Sequence, residues 1–189
     1  NPVLTISESG LLSTVQDLGR PGRACEGIAR SGAADRTAHR TANRLVGNKE
    51  SAATIEVTMG GLRAFAARDV WFAVAGAWGP LSLAGKEIDP FTATLWPAGQ
   101  ELSIGWFEHG ARAYLAVRGG LSVRLVADSR ATDTMSGLGS AALCIGDTLA
   151  GGSDIAGPVP PDGLHPWGAP SDELIELDLS PGPRADWFA

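Results

Sequence analysis

Residues 13–48, STVQDLGRPGRACEGIARSGAADRTAHRTANRLVGN, hold the one convincing helix of the chain and its densest polar loop. Leu11 to Val15 reads as the end of a strand. Asp17, Gly19, Pro21 and Gly22 then break it, because glycine reaches positive φ and proline fixes φ near −65°. Ser31 or Gly32 stands where a helix N-cap is wanted, and Asp35 suits the positive end of the helix dipole. Ala34, Ala38, Ala42 and Leu45 recur at helical spacing, a thin alanine-rich face suited to close packing on a sheet. Gly47 and Asn48 close the helix, which is expected over about residues 33–46.

Everything around that helix reads as short strands. Val3 to Ser7 and Leu11 to Val15 alternate around Gly10; Thr54 to Thr58 and Leu62 to Ala66 flank Gly60-Gly61 as a hairpin would. Val70 to Ala75 is continuously apolar, so both its faces are expected to be buried. Leu81 to Leu83 and Glu87-Ile88 flank Ala84-Gly85-Lys86, Ala93 to Trp96 and Glu101 to Gly105 flank PAGQ, and Arg112 to Val117 ends at Gly119-Gly120. Strands at intervals of about ten residues with a single helix exclude a doubly wound fold and indicate an antiparallel sheet or barrel.

Composition bounds the partners. At 189 residues the chain supports one domain or one and a half, and a net charge of −6 argues against nucleic acid or an anionic membrane surface, both of which call for clustered Lys and Arg. Only two lysines occur, Lys49 and Lys86, so arginine carries most of the positive charge, which suits fixed pairing. No apolar run approaches the roughly 18 residues that span a bilayer, and a cytoplasmic location is expected. Cys25 and Cys144 are too few and too separate for a disulfide framework or a zinc site; both are read as thiols, Cys144 in the core and Cys25 in the polar loop. His39, His109 and His165 show no ligand spacing, and no metal is expected.

The polar residues admit two readings each. Asp17 and Arg20 pair with each other or cap backbone amides; alternatively Gln16, Asp17 and Arg20 form a rigid edge that holds a carboxylate or carbonyl beside a helix N-terminus. Glu56 alternates with Ile55 and Val57, so it faces solvent or a groove if they face the core. Arg130 and Asp133 hold each other in a turn, or they bring a third acid-and-arginine loop to a shared pocket with Asp17-Arg20 and Asp35-Arg36. Ser13 and Ser31 lack the histidine and acid order of a triad. The glycine pairs of GGLRAF, RGGLS and SGLGS lack the lysine and strand-loop-helix setting of a phosphate loop.

Six motifs in order, STVQDLGRPG (13–22), SGAADR (31–36), ANRLVGN (42–48), IEVTMGG (55–61), AYLAVRGG (113–120) and ADSRATD (127–133), with LSPGPRADWF (179–188) beyond them, give the chain a resemblance to the allophanate hydrolase subunit 2 family. That family is also called biotin-dependent carboxyltransferase-like, KipA, or the C-type subunit of the bacterial 5-oxoprolinase. The resemblance implies a mainly β, cyclophilin-like antiparallel barrel over 1–150 with one principal helix. It also implies a subunit of an ATP-dependent 5-oxoprolinase, which opens 5-oxoproline to glutamate with a subunit 1/KipI-like partner and is inactive alone. ATP would be used through partner subunits, this chain binding no cofactor by itself. The alternatives are a urea-carboxylase-like carboxyltransferase domain, its biotin carrier supplied from elsewhere, and a KipA-like regulator that binds a KipI-like kinase inhibitor. A small amide-containing substrate would meet Gln16, Asp17, Arg20, Ser31, Asp35, Arg36, Asn43, Glu56, Arg130 and Asp133, with Arg20 or Arg36 on its carboxylate and Gln16, Asn43 and Asp17 on the lactam. No amidase Ser-Ser-Lys arrangement occurs, so allophanate hydrolysis itself is not expected.

Residues 151–172 hold five glycines and five prolines up to Ser171 and read as a linker or crossing loop, with Trp167 as a local anchor. Residues 173–189 read as the start of a second half, opening with a strand over Glu173 to Leu179 and closing on the apolar pair Trp187-Phe188.

Overall fold

The computed structural model describes residues 1–161, 174, 176–182 and 184–187. Trp167, Glu173, Ile175, the far part of the 151–172 segment and Phe188 lie outside the described residues; Leu174 and residues 176–179, where the rest of the expected strand falls, form no strand and leave Leu174, Leu177 and Leu179 exposed. The elements are β1 (Pro2–Ser9), β2 (Leu12–Gln16), α1 (Arg36–Leu45), β3 (Thr54–Thr58), β4 (Leu62–Ala66), β5 (Val70–Trp78), β6 (Leu81–Leu83), β7 (Lys86–Glu87), β8 (Thr94–Trp96), β9 (Glu101–Ile104), β10 (His109–Val117) and β11 (Thr148–Ala150). They build a six-stranded sheet in the order β11-β1-β4-β9-β6-β7 and a five-stranded sheet in the order β2-β3-β10-β5-β8. The named pairs are antiparallel. The mainly β architecture with one principal helix is the expected one; the two hydrogen-bonded ladders remain separate sheets.

Strand alternation sends one face of each sheet into a shared core. Val3, Leu4, Ile6, Ile55, Val57, Leu62, Phe72, Val74, Trp96, Leu102, Leu115 and Val117 pack there, with Phe72 and Trp96 in an edge contact 5.2 Å between ring centroids. The opposite face of the five-stranded sheet is covered by α1. Ala73, Ala75, Tyr114 and Ala116 meet Ala38, Ala42 and Leu45 in a second cluster, which explains why the apolar run of β5 has no polar face: Phe72 and Val74 serve one cluster, Ala73 and Ala75 the other. Small side chains on both surfaces let the helix lie close, in keeping with its alanine face.

Two expectations about turns change. Gly60-Gly61 does not close a hairpin, because β3 and β4 belong to different sheets; it is a corner, at which a Cβ on Gly60 would lie 2.1 Å from the carbonyl oxygen of Gly105. The PAGQ turn likewise carries the chain from β8 in one sheet to β9 in the other. Ala84-Gly85 does close a local hairpin, pairing Ser82 with Glu87 and Leu83 with Lys86. Tight hairpins and sheet-to-sheet corners ask for the same residues, so glycine alone does not separate them.

The helix begins later than expected. Asp35, and not Ser31 or Gly32, is the N-cap, its carboxylate accepting from the Ala38 amide at 2.9 Å. At the other end Gly47 donates to the Arg44 carbonyl and Asn48 to the Asn43 carbonyl, the paired closure of a Schellman motif with Gly47 at φ 70°. The early part of the glycine- and proline-rich segment is pinned. Gly152, Asp154 and Ala156 donate to the carbonyls of Gly120, Gly119 and Gly47. Cys144 lies exposed and outside the core, in a turn where its amide donates to Asp147 Oδ2 at 2.8 Å.

Candidate functional site

The three polar loops divide between a clamped knot and an open cavity. In the knot, Asp17 accepts from Ser129 Oγ at 2.6 Å, the Arg130 amide at 2.7 Å and the Gly19 amide at 2.8 Å. Arg20 is 2% exposed and donates from Nε to the Val126 carbonyl at 2.9 Å and from Nη2 to the Ala131 carbonyl at 2.6 Å. Asp17 and Arg20 therefore do not bond each other; each grips the backbone of the 126–131 loop. That loop needs a grip, because Ala127 and Asp128 both hold positive φ between the bridged residues Val126 and Ser129.

Gln16 donates to the Thr132 carbonyl at 3.0 Å, and Ser31 donates to Asp133 Oδ2 at 3.0 Å. Asp133 Oδ1 accepts from the amides of Met135 and Ser136, and hydrogen bonding from Ser136 first, then Ser31 and Met135, holds its carboxyl below the usual carboxylate range. The expected Arg130–Asp133 pair does not form; Arg130 lies 3.5 Å from Asp154 instead. The loops cross back to back at Gly19 and Gly32, where a Cβ on Gly32 would stand 2.6 Å from the Gly19 nitrogen.

Asn43 lies elsewhere, under α1. It donates to the Ala52 carbonyl at 2.9 Å, accepts from Asn48 at 3.0 Å, and lies 3.4 Å from His39 Nε2. Asn48 continues to the Val117 carbonyl and the Gly119 amide, so this network ties the helix end to β10. His39 is buried, 3.0 Å from Thr54 Oγ1 through Nδ1, with its ring edge-on to Tyr114. Burial lowers its pKa from 6.5 to about 4.

The second place is a cavity of about 630 Å³ where the start of α1 overhangs the ends of β5 and β10. Its walls include Asp35, Thr37, Ala38, Trp78, Phe91, His109 and Arg112. Behind them stands Glu56, buried, with two hydrogen bonds and one ion pair. Oε2 accepts from Tyr114 Oη at 2.7 Å and from the Ala34 amide at 3.0 Å, and Oε1 lies 3.3 Å from Arg112 Nε. The Asp35 amide donates to Tyr114 Oη at 2.7 Å. Burial, then the bond to Glu56, pushes the Tyr114 hydroxyl pKa up. Glu56 thus meets neither solvent nor the core between the sheets; it faces the side covered by α1. Asp35 lines this cavity, Arg36 begins the helix beside it, and Gln16, Asp17, Arg20, Ser31, Arg130 and Asp133 belong to the knot.

Sequence reasoning does not single out Arg112, Tyr114, Phe91 or Trp78. A signal exists: Tyr114 pairs with Glu56 across the ladder, and Arg112 precedes it by two residues on the same face. Reading it requires knowing that β3 pairs with β10 across more than 50 intervening residues. No group of three metal-binding side chains occurs among the described residues, and no helix there is long and apolar enough to cross a membrane.

Two antiparallel sheets with one helix on the outer face, a clamped loop knot and an open cavity at the helix start define a small β domain. The chain belongs to the family of the carboxyltransferase domain, subdomain A and B, which it matches over residues 26–189. It is 40% identical over 137 residues to the C-type subunit of 5-oxoprolinase from Escherichia coli (strain K12), covering 72% of this chain and 44% of that protein. It is 36% identical over 148 residues to urea amidolyase of Lachancea kluyveri, covering 76% of this chain and 8% of that protein. The crystal structure of TTHA0988 superposes with a TM-score of 0.84 at 39% identity, covering 96% of this chain and 67% of that one. The chain thus spans less than half the length of these curated relatives.

Proposed function

We propose that the chain acts as the C-type subunit of an ATP-dependent 5-oxoprolinase, opening 5-oxoproline to glutamate together with a subunit 1/KipI-like partner in the cytoplasm. The observation that carries this reading is the 40% identity to the C-type subunit of the E. coli 5-oxoprolinase. ATP is used through partner subunits, and this chain contributes a pocket for the lactam. The cavity beside α1 is the better candidate for that pocket, because it is open and walled by both apolar and charged groups, whereas most polar groups of the knot hold one another and nearby backbone, leaving Gln16 Oε1, Arg20 Nη1 and Arg130 Nε buried without a hydrogen bond. Of the ten candidate residues, Asp35 then lines the pocket and Glu56 backs it, Arg36 stands beside it at the start of α1, and the other seven lie in the knot or under α1. The test is glutamate formation from 5-oxoproline with ATP, using the full-length protein mixed with its partner subunits. Turnover that requires this protein supports the reading, and a fully active mixture lacking it removes the reading.

A second reading is favoured by the 36% identity to urea amidolyase: a carboxyltransferase domain that receives urea, with carboxybiotin delivered on a carrier from another chain or segment. Bicarbonate-dependent carboxylation of urea without 5-oxoproline turnover would select it.

A further inference from the structure

We propose that Arg112 is the carboxylate anchor of the cavity and Phe91 its flat wall, so that the ligand is a small monocarboxylic acid bearing a planar amide; this rests on the 5-oxoprolinase reading for the identity of that acid. The two ends of the Arg112–Glu56 pair differ in a way a plain structural ion pair does not require. The Glu56 side chain is 9% exposed and already accepts from Tyr114 and Ala34, whereas Arg112 is 35% exposed and lines the cavity. The Arg112 nitrogen nearest Glu56 is Nε, an ion-pair contact at 3.3 Å, and that nitrogen is sealed from solvent without a hydrogen bond of its own. The accessible part of the guanidinium therefore lies away from Glu56, with its outer N–H groups in the fork that matches a carboxylate. Glu56 fixes the orientation of the fork, and the Tyr114 hydroxyl fixes Glu56.

Phe91 supplies the other half. It holds φ at 57°, a conformation that bulky side chains rarely adopt, and its amide donates to the Val74 carbonyl at 2.7 Å. The ring also packs against the cluster of Ala38, Ala42 and Tyr114, which holds it in the wall. Ala38, Ala77 and Gly76 are small enough to admit a planar ring beside it. Urea, compact and uncharged, uses neither the fork nor the ring wall.

The experiment uses the full-length protein in its reconstituted complex, with 5-oxoproline as the probe. Arg112→Gln is expected to raise KM about 10- to 100-fold with a much smaller change in kcat, the loss of one charge-assisted contact. Arg112→Lys, which keeps Glu56 paired, is expected to recover part of that loss. Thr37→Phe fills the cavity from the first turn of α1 without touching Glu56, and is expected to raise KM as well. Inhibition by 2-pyrrolidinone, which lacks the carboxylate, is expected to be unmoved by Arg112→Gln. Wild-type turnover with unchanged KM in both Arg112→Gln and Thr37→Phe overturns the anchor and leaves the 5-oxoprolinase reading intact. If the wild-type complex does not turn over 5-oxoproline, that reading fails and calorimetric binding decides the anchor. Binding weakened at least tenfold by both substitutions upholds it, and absent or unchanged binding overturns it.

Discussion

Lowering the pH should destabilise the protein through His39, and the size of the effect follows from its surroundings. Asn43 Nδ2 stands 3.4 Å from His39 Nε2 and is itself a donor, while His39 Nδ1 lies 3.0 Å from Thr54 Oγ1, a hydroxyl 3.4 Å from the Gln16 carbonyl that it can reach as a donor. The network therefore assigns the neutral tautomer with hydrogen on Nδ1, and a second proton on Nε2 would confront the Asn43 amide donor to donor. Burial is the largest cause of the lowered pKa; Asp17 and a hydrogen bond to the Glu50 backbone oppose it, and Arg40 adds to it.

Because the folded value of about 4 lies below the ordinary 6.5, the unfolded chain binds the extra proton between those values. The stabilisation is complete above pH 6.5 and drains away as pH falls toward 4. At about 1.4 kcal/mol per pH unit the whole step amounts to about 3 kcal/mol, a large part of a typical domain's stability. Urea denaturation of the wild type and of His39→Gln at about pH 7.5, above the step, and at about pH 4.5, near its lower end, measures most of it. The variant is expected to lose most of the pH dependence that the wild type shows in this window, since carboxylate protonation affects both equally. Parallel loss of stability in the two proteins would refute the tautomer assignment and the burial argument together.

Two substitutions test the parts that position the cavity and the knot. Asp17→Ala strands the Gly19 and Arg130 amides and the Ser129 hydroxyl, and should cost about 3 kcal/mol by thermal or urea denaturation, with faster limited proteolysis in the 126–133 loop; unchanged proteolysis would show that the loop holds without it. Tyr114→Phe removes the hydroxyl shared by Glu56 and the Asp35 amide and should cost about 1–3 kcal/mol, accompanied by a rise in KM as the support of Arg112 loosens. Lost stability with an unaltered KM would confine Tyr114 to packing.

Much of this fold is legible from local chemistry. The alanine spacing of α1, its Gly47 closure, the doubly buried run of β5 and the positions of most strands all follow from period and turn residues that act over a few positions. The sheet assignments are not legible. Gly60-Gly61 and Pro97 to Gln100 satisfy the demands of a hairpin and of a corner equally, and the choice is made by packing across the whole core. The site divides in the same way. Gln16, Asp17, Arg20 and Asp133 stand out because polar residues crowd the motifs, and they do converge, but on groups 100 or more residues away, most of them backbone carbonyls and amides. Arg112 and Tyr114 sit in a strand that reads as ordinary sheet, and the β3–β10 register is what brings them to Glu56. The β11 strand leaves no mark in the sequence, because its three residues form a ladder by pairing with β1 at the far end of the chain.

The most direct test is to locate 5-oxoproline crystallographically in the reconstituted complex of the full-length protein. The expected result is ligand between Thr37, Phe91 and Arg112, its carboxylate on the Arg112 guanidinium. Ligand bound instead against Gln16, Arg20 and Arg130, with the cavity beside α1 unoccupied, would contradict it.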